Sequence, residues 1–568
     1  MPIVLGFHDS SFDSGATLIK DGETVAAIHE ERLCRVKHSG VFPFLSIIEL
    51  MNISNIHPSE IDAVAVGFAQ PNFIIQASQT FFKSSSNLNP LKSTWDMIKI
   101  YGIEQYELLI QSPLISRINT SSSNLLQNKM LRKLGINKKV IRIDHHLCHA
   151  ASAFYSSGFK KCLIITADAR GDGISTSINI ADNNGIERIS SSPEDASMGH
   201  FFGGITEVLG FGYADGEGKT EALAAFGHRS EAYEKLQSYI SVEKLFLRGK
   251  MKPWQRLISI PFSKLLKGTK REDIAYAAQR ILEVTYINLI NNAINETGIS
   301  NIALAGGIFL NVKLNKKIME LPNVKNIFIH PAAGDTGIST GAAFILYSEM
   351  YGLEPKRWEH VFLGNSYKNY EIKNALKKTD LQYEYIDDIS GYIGEEILPK
   401  NYLIGWFQGK MEYGPRALGS RSVLIDSRNP ESPSKVRTSF KHRPAFQPYC
   451  PTILKEEERK YIENPKNVVA SFMIMAFNAK QKMIKEAPAV VFIDSSVRQQ
   501  SLERKHNPLY YDLIKSFYKE TDIPIILNTS FNRSGEPIVC TPEQAIHDLK
   551  ISKLDFLAIG NYLVKRRG

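Results

Sequence analysis

Residues 3–31, IVLGFHDSSFDSGATLIKDGETVAAIHEE, and residues 162–190, CLIITADARGDGISTSINIADNNGIERIS, carry one pattern twice. Each copy opens with an apolar run that reads as a buried strand. It then passes through an acidic loop containing serine or glycine and continues as two strands joined by a polar turn. In the first copy that turn is Asp21-Gly22, a pair suited to the positive φ angles of a tight hairpin. In the second it is Asn183-Asn184-Gly185. The copies lie roughly 160 residues apart, which predicts two halves of the same α/β build.

Such a duplication is the pattern of actin, Hsp70 and the sugar kinases, in which two ribonuclease-H-like halves clasp a ligand between them. After the second copy come helical segments, the strand and glycine turn NIALAGGIFLN (301–311), the strand KNIFIH (325–330) and a helix beginning near Asp335 in DTGISTGAAFILYSEMYG (335–352). Glycine turns at strand ends let backbone amides approach a phosphate, so Gly306, Gly307 and Asn311 are expected at a nucleotide. The run GYADGEGKT (212–220) imitates a phosphate loop. It has five residues between Gly212 and Gly218 where that motif has four, and it follows a helical segment instead of a strand, so Lys219 is not assigned to one.

The stretch DHHLCHAASAFYSSGF (144–159) places His145 and His149 four residues apart, on one face of a helix that Asp144 can cap at its start and Gly158 at its end. Two imidazoles so placed are half of a site that prefers zinc or ferrous iron. The acidic loops TADARGDG (Asp168, Asp172) and PAAGDTG (Asp335) each follow an apolar strand and offer carboxylates to complete it. Cys148, next to His149, points off that face and is read as packing.

With 568 residues, 43% of them hydrophobic, the chain can bury two or three domain cores. It starts without a secretory pattern and lacks a membrane-length apolar run, so a cytoplasmic protein without membrane contact is expected. Five cysteines with no CxxC pair argue against a disulfide framework. The net charge of +9 is spread along the length, which suits small anionic substrates better than nucleic acid.

Composition shifts near residue 355. We expect a first domain over 1–355, a connecting section over 356–400 and a second α/β domain over 401–568. The second domain is rich in placed cations: Arg416 and Arg421 in GPRALGSRS, Lys441 and Arg443 in FKHRPAFQPYCPTI, Arg498 in FIDSSVRQQ, and Ser530, Asn532 and Arg533 in LNTSFNRSGEPIVCTP. Several convergent donors are what triphosphate chemistry requires.

The runs GFHDSSFDSGATL, EERLCRVKH, HHLCHAASAFYSSGF, LAGGIFLN, PAAGDTG, MEYGPRALGSRS and LNTSFNRSGEPIVCTPEQA occur along nearly the whole chain. In these the sequence closely resembles the NodU/CmcH family of O-carbamoyltransferases, which includes antibiotic-tailoring enzymes. The resemblance implies an N-terminal domain like TsaD, the threonylcarbamoyl transferase of tRNA modification, and a C-terminal domain like YrdC, the synthase of that pathway. It further implies that the C-terminal domain makes carbamoyladenylate from carbamoyl phosphate and ATP, with magnesium, using Lys441, Arg443, Ser530 and Asn532. The carbamoyl group then passes to the hydroxyl of a sugar, antibiotic or other secondary metabolite. By the same resemblance His145, His149, Asp168 and Asp335 hold Fe(II) or another divalent metal, His8 is the general base, and Lys37 binds phosphate.

The chain departs from the family at Gln447, where an arginine is expected, and at Phe492, where a histidine is. Both lie in the adenylating half. The loops at about 70–135 and 230–270 match nothing that names an acceptor, and a homodimer is left open. Two other readings are an actin-like small-molecule kinase, which leaves the HxxxH unexplained, and a non-catalytic nucleotide or RNA binder.

Overall fold

Strand β1 (Ile3–His8) pairs antiparallel with β2 (Gly15–Lys20), and β2 with β3 (Glu23–His29). The β2–β3 turn is Asp21-Gly22, whose φ angles of 52° and 80° are those of the expected tight hairpin. β4 (Ala63–Gly67) joins β1 in parallel and β5 (Val140–Ile143) joins β4, giving the order β3-β2-β1-β4-β5. The computed structural model describes residues 2–9, 12–69, 113–250 and 259–566. Of the two loops with no nameable acceptor, 70–112 and 251–258 lie outside the described residues.

The second copy builds the same sheet. β6 (Cys162–Gly171), β7 (Ile174–Asp182) and β8 (Gly185–Pro193) form an antiparallel meander, and strands Asn301–Ala305 and Asn326–Ile329 extend it in parallel on the β6 side. Strand for strand this is the order of the first sheet, so the first unit is the duplicated ribonuclease-H-like fold expected from the repeat. Helices His145–Ser157 and Ile338–Tyr351 pack on each other, and their contact is built from small side chains: Ala150, Ala151, Ala153, Ala342 and Ala343 are all inaccessible to solvent. Residues this small let the backbones approach closely, which brings the His145 and Asp335 ends of the two helices together. The run GYADGEGKT leads from helix Met198–Val208 into helix Glu217–Leu223, so Lys219 sits in a helix and not in a phosphate loop.

The chain divides into two compact units, Met1–Cys34 with His38–Trp358, and Glu359–Gly568 with the short segment Arg35–Lys37. The expected connecting section therefore needs correcting. Residues 359–400 belong to the second unit, because strand Tyr383–Tyr385 pairs with Tyr562–Lys565 and helix Asn369–Lys377 packs on helix Pro542–Ile551. That unit is a mixed α/β structure around an eight-stranded sheet, with Ile404–Phe407, Arg421–Asp426 and Ile525–Ser530 at its centre. All five cysteines are free thiols, and four are buried. Among the described residues no helix is long and apolar enough to cross a membrane.

One buried carboxylate in the second unit sets a pH dependence. Asp548, on helix Pro542–Ile551, is pushed up to about 6, first by burial and then by Glu536, with Arg533 and Arg35 offsetting only part. A carboxyl whose folded pKa lies above its unfolded value favours the native state when protonated. Its contribution is thus complete below about pH 4 and is lost as pH rises through about 6. Asp548→Asn removes the buried charge and is expected to stabilise the protein at pH 8 by about 2 kcal/mol, with no gain at pH 4. Denaturant midpoints of the two proteins at both pH values check this.

Candidate functional site

Helix His145–Ser157 begins directly after β5. Asp144 caps it, with Oδ1 accepting from Leu147 N at 2.8 Å, and Arg188 grips the same carboxylate; Gly158, at φ 72°, ends it. His145 and His149 leave one face of this helix, both fully buried, with ring centroids 4.7 Å apart. The intervening His146 serves the core. Its Nε2 donates to Ile174 O at 3.0 Å, so Nδ1 accepts from the Thr166 hydroxyl at 2.6 Å, and burial together with His149 pushes its pKa down to about 3.

Asp168 enters from β6 where the β6–β7 register slips between Ala167 and Gly171, an irregularity of the kind that re-aims a side chain. Its Oδ2 accepts from Gly307 N at 3.0 Å and its Oδ1 from Ala169 N at 2.6 Å. Gly306 makes that turn at φ 104°, and a Cβ there would lie 2.1 Å from Ala167 O, so only glycine fits. Asp335 comes from the single turn Asp335–Gly337 that leads into helix Ile338–Tyr351. Nε2 of His149 is 3.1 Å from Asp168 Oδ2 and 3.6 Å from Asp335 Oδ1, and Nε2 of His145 is 3.7 Å from Asp335 Oδ1.

This donor set fits a divalent cation. The four ligand atoms all lie within 4.8 Å of one another. Among the described residues, neither ring nitrogen of His145 or His149 makes a hydrogen bond of good geometry although all four are buried, and a metal ion satisfies such orphaned lone pairs. The groups also perturb one another strongly. Burial works against charge on His149, but Asp168 and Asp335 outweigh it and raise the ring to about 9. Burial holds His145 well below the usual histidine range, and Asp335 is held well below the carboxylate range because His149 and His8 outweigh its burial. His8 stands beside the set at the end of β1, with Nε2 3.8 Å from Asp335 Oδ2. Its Nδ1 lies 3.0 Å from Gly67 O; a carbonyl only accepts, so Nδ1 carries a hydrogen. Burial works against charge on this ring, but Asp335 and the Gly67 carbonyl outweigh it and raise its pKa.

The second unit holds a cationic cluster. The Lys441 ammonium, almost fully buried, donates to Ser530 Oγ at 2.9 Å, Asn532 Oδ1 at 2.8 Å and Asn532 O at 2.7 Å. No carboxylate is among these three acceptors. Burial first, then the charges of Arg443 and Lys37, hold Lys441 well below the ordinary lysine range. Arg443 lies against the Tyr449 ring, 5.6 Å from its centroid. Lysine and arginine charges gathered around one buried ammonium favour an anion. Lys37, Lys441, Arg443, Ser530 and Asn532 are thus drawn together from distant parts of the chain.

Other expected ligands are placed differently. Arg421 is fully buried; its Nη1 donates to the carbonyls of Gln408, Gly409 and Ser420 and its Nη2 to that of Asn365, while the guanidinium stacks 3.8 Å from the Phe407 centroid. It ties loops together. Around the same glycine turn, Glu412 Oε1 already accepts from the amides of Leu418, Ser420 and Arg421. Arg416, half-buried, lies in this loop. Arg533 pairs with Glu536 and approaches Asp548, and Arg498 directs Nε and Nη2 at Cys450 Sγ, 3.0 and 2.8 Å away. Gly306 and Gly307 have their amides occupied by Ala333 O and Asp168, and Asn311 is a helix cap for Leu314 held by Gln279. The hydrogen bonds of these three go to the Asp168 carboxylate and to the surrounding fold.

The sequence reading missed Phe68, which stacks on His8 at 5.8 Å and meets His145 edge-on at 4.8 Å. It follows β4 with φ 154°, a value no local motif announces.

A family model described as carbamoyltransferase N-terminus matches residues 4–344, and one described as carbamoyltransferase C-terminus matches residues 395–566. An uncharacterized protein of Methanocaldococcus jannaschii is 34% identical, with 99% of each chain covered. Nodulation protein NolNO of Sinorhizobium fredii is 29% identical over 98% of this chain and 79% of its own length. Nodulation protein NolO of Bradyrhizobium diazoefficiens is 31% identical over 75% and 79% respectively. Matched across both of its units, the chain belongs to the carbamoyltransferase family, and its general chemistry is transfer of a carbamoyl group.

Proposed function

We propose that this chain is an O-carbamoyltransferase that activates carbamoyl phosphate with ATP as carbamoyladenylate and passes the carbamoyl group to a hydroxyl of a sugar, antibiotic or other secondary metabolite. The observation that carries this reading is the presence, in one member of the family, of two unlike centres: a donor set of two buried histidines and two half-buried aspartates beside His8, and a cationic cluster around Lys441.

In the second unit, carbamoyl phosphate yields its phosphate to water and leaves carbamate. A carbamate oxygen then bonds to the α-phosphorus of ATP, bound with magnesium, as the bond from that phosphorus to the bridging oxygen breaks and pyrophosphate departs. Lys37, Lys441 and Arg443 offset the charge gathered on the phosphates, while Ser530 and Asn532 keep Lys441 in place.

In the first unit, the acceptor oxygen bonds to the carbamoyl carbon as the bond from that carbon to the adenylate oxygen breaks, and AMP leaves. A ferrous or other divalent ion held by His145, His149, Asp168 and Asp335 supplies Lewis-acid polarisation of the carbonyl when bound. An alcohol barely ionises near neutral pH, so a base must take its proton during attack. His8 takes it at Nε2, since Nδ1–H is committed to Gly67 O. His8→Asn is therefore expected to slow transfer by about 10²–10⁴-fold while pyrophosphate release persists. Quenched single-turnover samples, assayed for carbamoyladenylate and for carbamoylated acceptor, check this.

The test of the whole reading is mass spectrometry of hydroxylated metabolites incubated with the metal-loaded protein, ATP and carbamoyl phosphate. A gain of one CONH unit on a hydroxyl is expected. A gain of one phosphoryl group instead makes the protein a kinase.

A further inference from the structure

Asp172 was singled out with Asp168 as a loop carboxylate, and it does not join the donor set. With Gly173 it forms the two-residue β6–β7 turn, at φ 51° and 83°. Asp is one of the residues that tolerates this conformation, which alone accounts for its presence in a turn. Its carboxylate, however, makes two bonds that a turn does not need. Oδ2 accepts from His145 N at 2.8 Å, at the first residue of the metal-side helix, and from Ala69 N at 2.9 Å, just beyond β4.

Both donors lead into the transfer site. His145 is the first residue of its helix, so its amide has no partner within the helix. The Gly67–Ala69 segment supplies the carbonyl that fixes the His8 tautomer and the Phe68 ring that lies against His8 and His145. The Phe68 carbonyl also accepts from Arg142 Nη1 at 3.0 Å, so two side chains hold the one peptide group that joins Phe68 to Ala69. One oxygen of Asp172, carried by the second ribonuclease-H-like half, thus bonds the strand end that orients the base and the helix start that orients a metal ligand. Gly171, the preceding residue, brings the β6 backbone against the His145 ring: a Cβ there would lie 2.0 Å from Cδ2.

We infer that Asp172 is a positioning residue that seats His145 and the Gly67–Ala69 segment relative to each other through one acceptor oxygen. The inference deepens the proposed function by naming what aligns its metal ligands with its base. It rests on that reading only for the consequence in transfer, and metal binding tests it separately.

The two amide bonds require an acceptor oxygen at this position, while the charge of the carboxylate also acts on Arg142. Asp172→Asn presents a carbonyl oxygen at the same place and suits the positive φ, whereas Asp172→Glu keeps the charge and displaces it by one methylene. Titrating the metal-free full-length proteins with Co²⁺, and recording the visible absorption of the bound ion, separates the two. Asp172→Asn is expected to bind within about threefold of wild type with the same spectrum. Asp172→Glu and Asp172→Ala are expected to bind about 10–100-fold more weakly with an altered spectrum, as for other groups that orient ligands. Carbamoyl phosphate-dependent pyrophosphate release should be unchanged in all three, which reports an intact second unit. Wild-type affinity and spectrum in Asp172→Ala, or the reverse order with Glu retaining and Asn losing affinity, overturns the inference. If Asp172→Ala fails to fold, the order of Asn and Glu still decides. Should the metal results hold while no carbamoylated product forms with any variant or wild type, the positioning stands and the proposed transfer fails.

Discussion

His149→Ala is expected to leave the protein almost free of divalent metal and unable to transfer a carbamoyl group, while ATP consumption dependent on carbamoyl phosphate continues. His149 is the donor nearest both carboxylates, 3.1 Å from Asp168 and 3.6 Å from Asp335, so its loss opens one vertex and leaves His145 as the one imidazole of the donor set. Changes one shell further out typically cost 10–100-fold in affinity, and loss of a ligand should exceed about 100-fold. The alanine fits the helix, whose neighbouring positions are already alanine-rich, so a general loss of fold is not the expected cause. Metal content by elemental analysis and pyrophosphate release, measured on the same preparation, check both halves of the statement. Full transfer by a metal-free variant would remove the metal from the account.

The complementary change is Arg443→Ala. It is expected to reduce carbamoyl phosphate-dependent pyrophosphate release by at least about 100-fold, the scale on which an electrostatic donor to a reacting centre is felt, and to leave metal content unchanged. Arg443 is the better probe than Lys441. Removing Lys441 takes away a buried donor shared by Ser530 Oγ, Asn532 Oδ1 and Asn532 O, and so disturbs the fold as well as the charge. Arg443, partly exposed and lying on the Tyr449 ring, can be truncated with less structural cost. Wild-type formation of carbamoyladenylate by Arg443→Ala would show that activation does not depend on this cluster.

The duplicated first unit could be read from sequence because its information is local. Apolar strand runs, Asp-Gly turns and the spacing of two histidines on a capped helix are all set within a few residues. The convergence of Asp168 and Asp335 on those histidines is not local. It needs the irregularity in β6 and the Gly306 turn, and the glycine turn was assigned to phosphate because a free amide and an occupied one look alike in sequence. The same blindness explains Arg421. Its motif has the composition of an anion grip, and only burial among four carbonyls and beside Glu412 reveals a structural tie. Residues 359–400 read as a connector because the pairing that claims Tyr383–Tyr385 lies at the far end of the chain, at Tyr562–Lys565. Lys441, Ser530 and Asn532 were each visible, whereas the three bonds that join them across about 90 residues were not.

The proposed function requires cleavage of ATP at its α-phosphorus to activate a carbamoyl group. The most direct test needs no acceptor: ³¹P and ¹³C spectra of the metal-loaded chain with ATP, magnesium and ¹³C-carbamoyl phosphate. AMP, pyrophosphate and phosphate are expected, formed only when carbamoyl phosphate is present, with the label passing through a carbamoyl–phosphate anhydride of AMP. Formation of ADP in place of AMP and pyrophosphate, or ATP turnover indifferent to carbamoyl phosphate, would contradict it.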